Sequence, residues 1–226
     1  MRTTPVRSAP PKLTPRGAAT RDRILRTAAD LMFANGVGVT LLDEVRVASG
    51  VSKSQLYHHF PDKAALVHAV VTKQGTELLE RQRQLLARLN SFSGLERWRD
   101  ATLKRNALRG GAYGCEIGSL ASELSDTDEQ ARLMLTEHFR SWEALLSAGL
   151  ARMRAAGLLR PEADPDALAV AVMVAVQGGY LLAQTERSPA PMAVALDMAL
   201  SHVRSYAAET TEPAPRRSRR SRNSSS

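Results

Sequence analysis

Cysteine is all but missing: Cys115 is the only one in 226 residues, so no disulfide can form within the chain. That excludes the disulfide-stapled class of small secreted scaffold and leads to the expectation of a reducing, cytoplasmic compartment. Aromatic residues are scarce as well, at 4%. Ala and Leu dominate the apolar set, and with strand-forming β-branched and aromatic side chains in the minority, the composition favours helices. No uninterrupted apolar run approaches the roughly 20 residues that span a bilayer, so no membrane partner is expected. The first 21 residues lack the apolar core of a signal peptide. Motifs of catalysis are missing too: there is no Walker A loop, no HExxH, no G-x-S-x-G and no CxxC pair. Carboxylates are scattered on helix faces beside Arg or Lys, as on solvated surfaces. The expectation is a protein that is not an enzyme and holds no cofactor or metal.

What the chain does have is positive charge at its ends. The net charge is +8, yet residues 1–20 carry Arg2, Arg7, Lys12 and Arg16 without an acid, and residues 213–226 carry five arginines without an acid. Setting those nine charges aside leaves 21–212 at −1. Both ends are rich in Pro, Ser, Ala and Arg, a composition that buries too little surface to offset the entropy of ordering. They read as a disordered basic arm over 1–19 and a disordered Arg/Ser-rich tail over 209–226. Such segments either strengthen non-specific attraction to phosphate backbones or serve as solubilising tails.

Between the ends the hydrophobic period is that of helices throughout, and no period-two pattern persists. Ile24, Leu25, Ala28, Leu31 and Met32 define a first helix starting at Thr20 or Arg21 and ending at Asn35-Gly36. Thr40 stands as an N-cap for LLDEVRVAS, which Gly50 ends, and Ser52 as a cap for KSQLYHHF, which Pro61 stops. Asp62 opens a long helix in which Gly75 is a possible bend. Further helices follow, one of them (166–183) apolar nearly all round and so buried on several sides. The expected class is all-α, with about nine helices.

Thr40 to Lys63 is the informative stretch. Two short helices separated by a tight Gly-Val-Ser turn form a helix-turn-helix, and a helix fits the DNA major groove and can present side chains to base edges. Val45, Ala48, Val51 and Leu56 are the expected small core. Ser52, Lys53, Ser54, Gln55, Tyr57 and His58 then face outward as donors, acceptors and a cation, suited to phosphates and bases. His58 and His59 point about 100° apart on a helix and have no third ligand at metal spacing, which argues against a metal site.

The phrase G-V-S-K-S-Q-L-Y-H-H-F-P-D-K-A-A-L, with ILRTAADLMFANG upstream, resembles the TetR family of transcriptional repressors over residues 20–70. Downstream, G-C-E-I-G-S-L-A-S-E-L and Q-G-G-Y-L-L-A-Q resemble the ligand-binding domain of its LmrA/YxaF-like branch. The resemblance implies an all-helical homodimeric repressor. A helix-turn-helix domain (20–66) would read a near-palindromic operator in double-stranded DNA, and a larger domain (67–208) would bind a small lipophilic effector and dimerise. It also implies site residues. Thr40, Tyr57 and Lys63 match positions that touch phosphate, Lys53 and Gln55 match positions facing the groove, and His58 completes an aromatic pair. Leu41 departs from the usual Thr or Ser, and Arg46 from the usual Ala; Arg46 either reaches phosphate or lies over the helix pair.

In the larger domain Trp98, Phe139, Trp142, Met173 and Gln177 are candidates for an effector pocket, with plain core packing as the competing reading. Cys115, in a Gly-rich bend, is either a redox switch or, more ordinarily, a small buried hydrophobe. The alternative function is an all-helical adaptor that does not bind DNA in a sequence-specific way.

Overall fold

The computed structural model of the protein describes residues 13–112 and 114–209. Among them are nine helices and no strand: α1 (Pro15–Asn35), α2 (Leu42–Ser49), α3 (Lys53–His59), α4 (Lys63–Leu86), α5 (Phe92–Ala107), α6 (Glu116–Leu124), α7 (Glu129–Ala155), α8 (Pro165–Glu186) and α9 (Ala190–Arg204). The all-α expectation holds.

Helix α1 starts five residues before the expected Thr20. The Thr14 hydroxyl accepts from the Gly17 N–H, and Pro15 fills the first turn, where its missing N–H costs nothing. The expected arm over 1–19 is shortened accordingly, and residues 1–12, like the tail beyond Glu209, lie outside the described residues. The α1 apolar stripe is buried as its spacing demands, with Ile24, Leu25, Ala28 and Met32 inside and Leu31 partly so.

Helix α4 links the first three helices to the rest. It is continuous through Gly75, where a bend was conceivable. The glycine is there for space, since a Cβ would stand 2.2 Å from the His138 ring of α7. Helix α7 runs beside α4 in the same direction. His68 of α4 meets Asp128 at 2.7 Å at one end. At the other, the Arg152 guanidinium donates to the Leu89 and Leu86 carbonyls at 3.0 and 3.1 Å, satisfying α4's last turn. The C-terminal stretch is anchored at this same end, where the Ala208 N–H donates to the Leu158 carbonyl. The two described ends of the chain therefore sit at opposite poles, separated by the length of α4, about 36 Å for its 24 residues.

Helix α8 is the one helix among the described residues long and apolar enough to cross a bilayer by length and composition, with mean hydropathy 1.7, and half of that window is buried inside the fold. It packs on α7 and α9. Gly179 lets Met192 and Ala195 of α9 approach its backbone, while adjacent Gly178 faces open space.

Burial holds the His138 imidazole below its ordinary range, and burial together with His58 and Arg21 does the same for His59. A histidine depressed in the folded state is protonated first in the unfolded chain. Stability is therefore full above the unfolded value, about pH 6.5, and is lost as pH falls through it. The urea midpoint is expected to be lower at pH 5.5 than at pH 7.5, and His138→Gln should remove part of that difference. Equal midpoints for the parent at the two pH values would contradict the assignment.

Candidate nucleic-acid interface and ligand cleft

The reading head is built on a few buried side chains. Val45, Val51, Leu56 and Phe60 are buried, as the helix-turn-helix pattern requires. Ala48 is a correction. It is exposed, and Ser49, four residues after Val45, takes the inward position instead. The Arg23 Nε–H donates to the Ser49 carbonyl at 2.9 Å, tying α1 to the end of α2. Gly50 then adopts φ 65°, the left-handed cap that only glycine takes without strain, and turns the chain into α3.

On α3 the outward face is polar. Lys53, Ser54, Gln55, Tyr57 and His58 are all exposed, and the Tyr57 ring is 44% open. Ser52 and Gln55 hold each other in a capping box: the Ser52 hydroxyl accepts from the Gln55 N–H at 3.2 Å, and Gln55 Oε1 accepts from the Ser52 N–H at 2.9 Å. Ser52 is thereby a structural cap, and Gln55 keeps its amide nitrogen for an outside partner. Arg46 donates from Nε to Asp43 at 2.6 Å and lies along α2 beside it.

Thr40 is the clearest departure. It is 1% exposed, and its hydroxyl donates to the Gly36 carbonyl at 2.7 Å. It neither caps α2, whose N-cap is Leu41 with the Leu41 N–H bound to the Glu44 carboxylate, nor offers a hydroxyl to an outside phosphate. Lys63 donates from Nζ to the Gly38 carbonyl at 2.9 Å, so it braces the same loop.

A further clamp on that loop comes from the larger domain, and sequence reasoning missed it. The Glu123 carboxylate of α6 accepts from the Val37 N–H at 2.7 Å and the Gly38 N–H at 3.4 Å. The partners are 86 residues apart and backbone atoms on one side, so no side-chain pattern announces them.

The other face of α6 lines a cleft. A trough of about 340 Å³ between α6, α7 and α8 is walled by Cys115, Gly118, Phe139, Gln177, Tyr180 and Gln184, among others. A more open hollow of about 530 Å³ shares Phe139 and Gln177 and adds Met173 and Arg140. Three of the five candidate pocket residues are thus brought together, and two are not. Trp98 is buried between α5 and α4 and donates its indole N–H to Gln82 at 2.9 Å. Trp142 is sealed in the core of α7. Both rings are large enough to be core anchors, and the helical period buries them away from the trough. Gln177 Nε2 is buried without a hydrogen-bond partner among the described residues, which leaves a donor for a ligand acceptor.

Cys115 lies on the trough floor, 3% exposed, and burial pushes its thiol up to about 11. It is protonated near neutral pH, and the redox-switch reading loses its thiolate. Beside it, Glu116 is nearly buried and accepts from Arg105 at 2.6 Å and Arg109 at 3.4 Å, with Arg81 at 3.5 Å. Burial opposes its charge, and the Arg105 hydrogen bond and neighbouring guanidinium charges outweigh that, so its carboxyl lies below the usual range. Burial also raises the Tyr180 phenol, leaving it a neutral donor.

Residues 24–70 match the tetR family of bacterial regulatory proteins, and residues 86–199 match the tetracyclin repressor-like C-terminal domain. The transcriptional regulator AcuR of Cereibacter sphaeroides is 27% identical over 190 residues, covering 80% of this chain and 84% of AcuR. The HTH-type regulators YxaF and LmrA of Bacillus subtilis are 27% and 26% identical, over 80% and 76% of this chain and 92% and 90% of their own lengths. Among solved structures, reduced E. coli NemR superposes with TM-score 0.70 at 26% identity, over 85% of this chain and all of that one. A regulator from Rhodobacter sphaeroides at 24% identity reaches TM-score 0.74, over 81% and 98%, and shares the fold. The head, the larger helical domain and these matches agree: the chain belongs to the TetR family and is a DNA-binding transcriptional regulator.

Proposed function

We propose that the protein is a homodimeric repressor, released from a near-palindromic operator by a small lipophilic ligand. The observation that carries the reader is the open polar face of α3, with Lys53, Ser54, Gln55, Tyr57 and His58 exposed over buried Leu56 and Phe60. In this reading α3 enters the major groove, Lys53 and the Gln55 amide face base edges, and Tyr57 and Lys63 reach phosphates, while Arg46 stays on Asp43. Two heads then lie about one helical turn apart, roughly 34 Å. Selecting binders from a random duplex pool tests it. A conserved inverted repeat is the expected product, and a pool without enrichment overturns the reading.

Dimerisation is supported by the outer face of α8 and α9. Val174, Leu182, Val194 and Met198 are 53–69% exposed there and line an apolar groove of about 590 Å³. A face this apolar and contiguous favours burial against a like surface.

Ligand release follows a short path. Helix α6 touches the trough through Cys115, Gly118 and Ser122, and the reading head through Glu123. A ligand that fits the trough better in a shifted α6 draws the carboxylate from the Val37 and Gly38 amides, loosening the loop that Lys63 braces. Glu123→Ala is expected to speed amide exchange at Val37 and Gly38. It should also reduce the ligand's effect on operator affinity from the 5–150-fold common for such coupling to about twofold or less. A compound found by thermal shift on the parent serves as ligand, and full ligand response in the variant would refute the path.

A further inference from the structure

We infer that a cleft between the first turns of α1 and helix α3 is a second phosphate-binding site for duplex DNA, centred on Arg16, and that it extends the footprint beyond the recognition helix. The inference rests on the reading that α3 faces DNA. The cleft encloses about 310 Å³, with Thr14, Arg16 and Thr20 on the α1 side and Ser54, Gln55 and His58 on the other. No carboxylate lines it. A phosphodiester fits that volume, and although the Thr20 hydroxyl already donates to the Arg16 carbonyl, a wall of one guanidinium, an imidazole and the Thr14 and Ser54 hydroxyls is the chemistry that holds an anionic oxygen.

The cations of this end of the molecule are mostly committed elsewhere. Arg23 donates to the Ser49 carbonyl, Arg26 pairs with Asp22, Arg46 pairs with Asp43, and Lys73 bridges Asp22 and Glu77. Arg21 stacks over Phe60. Arg16 is exposed, and its guanidinium has no hydrogen bond or ion pair among the described residues. A guanidinium left free, beside three residues of the recognition helix, stands where the duplex backbone passes if α3 lies in the groove. In the sequence, Arg2, Arg7 and Lys12 precede Thr14 without an acid.

The test is salt-dependent binding of the full chain to a 30-base-pair random-sequence duplex, read by fluorescence anisotropy. Each phosphate contact contributes about 0.9 to the slope of log affinity against log salt. Arg16→Ala is expected to lower that slope by about 0.9 per protomer, with the thermal midpoint unchanged. Arg88→Ala, which removes an exposed cation at the far end of α4, should leave the slope as it is. An unchanged slope for Arg16→Ala, or an equal loss for Arg88→Ala, overturns the site. Lys63→Ala, at a residue placed against a phosphate in the proposed reading, separates the two: if it lowers the slope while Arg16→Ala does not, the reading head stands and only the cleft falls. If neither variant changes the slope, both fall. A single methylphosphonate walked along the selected operator gives the second readout. One neutralised phosphate flanking the base-contacted stretch should weaken the parent and be silent in Arg16→Ala.

Discussion

Tyr57→Ala combined with Lys63→Ala is expected to weaken operator binding by about a hundredfold or more while leaving the protein folded. In the proposed reading each side chain supplies one hydrogen bond to a charged phosphate, and such bonds contribute roughly 1.5–3 kcal/mol apiece. Stability changes little because neither group is a core element: the Tyr57 ring is 44% open, and Lys63 gives up only an exposed bond to the Gly38 carbonyl. Gel shift on the selected operator reads the affinity, and circular dichroism with a melting curve checks the fold. A folded double variant that binds as tightly as the parent removes α3 and its flank from the DNA interface.

Leu182→Glu with Val194→Glu is the second variant of large effect. Both side chains lie on the outer α8–α9 face, more than half exposed, so the isolated protomer tolerates the charges. Facing a second copy, four carboxylates would be buried without partners, a cost no apolar contact there offsets. Sedimentation should show monomers. Operator affinity should fall by about a hundredfold to ten-thousandfold, because each head then binds its half-site alone. A variant that still sediments as a dimer places the interface elsewhere.

The helices, the head and the family were legible because they rest on local signals. Ser52 three residues before Gln55, Gly50 at a left-handed turn and the Ile24-to-Met32 stripe each act within one or two turns of chain. Even the early start of α1 was written as Thr14-Pro15. What stayed hidden depends on which side of a side chain meets a distant element. Thr40 looks like a cap by type, yet the chain turns it inward to Gly36. Ala48 and Ser49 differ by one position, and polarity alone favoured the wrong one. Trp98 and Trp142 are pocket-like in chemistry, but only the crossing of α4, α5 and α7 shows them sealed. The Glu123 clamp uses backbone donors, and the free Arg16 is recognisable only after its neighbours' partners are known.

The placement of the two described ends at opposite poles has a practical corollary. An affinity tag or fluorescent fusion that replaces residues 210–226 starts about 36 Å from the recognition helix, the length of α4. The same fusion replacing residues 1–12 begins at the rim shared by Thr14 and His58 and, in the proposed reading, crowds the double helix. Reporter assemblies built on this regulator belong on the carboxyl-terminal side.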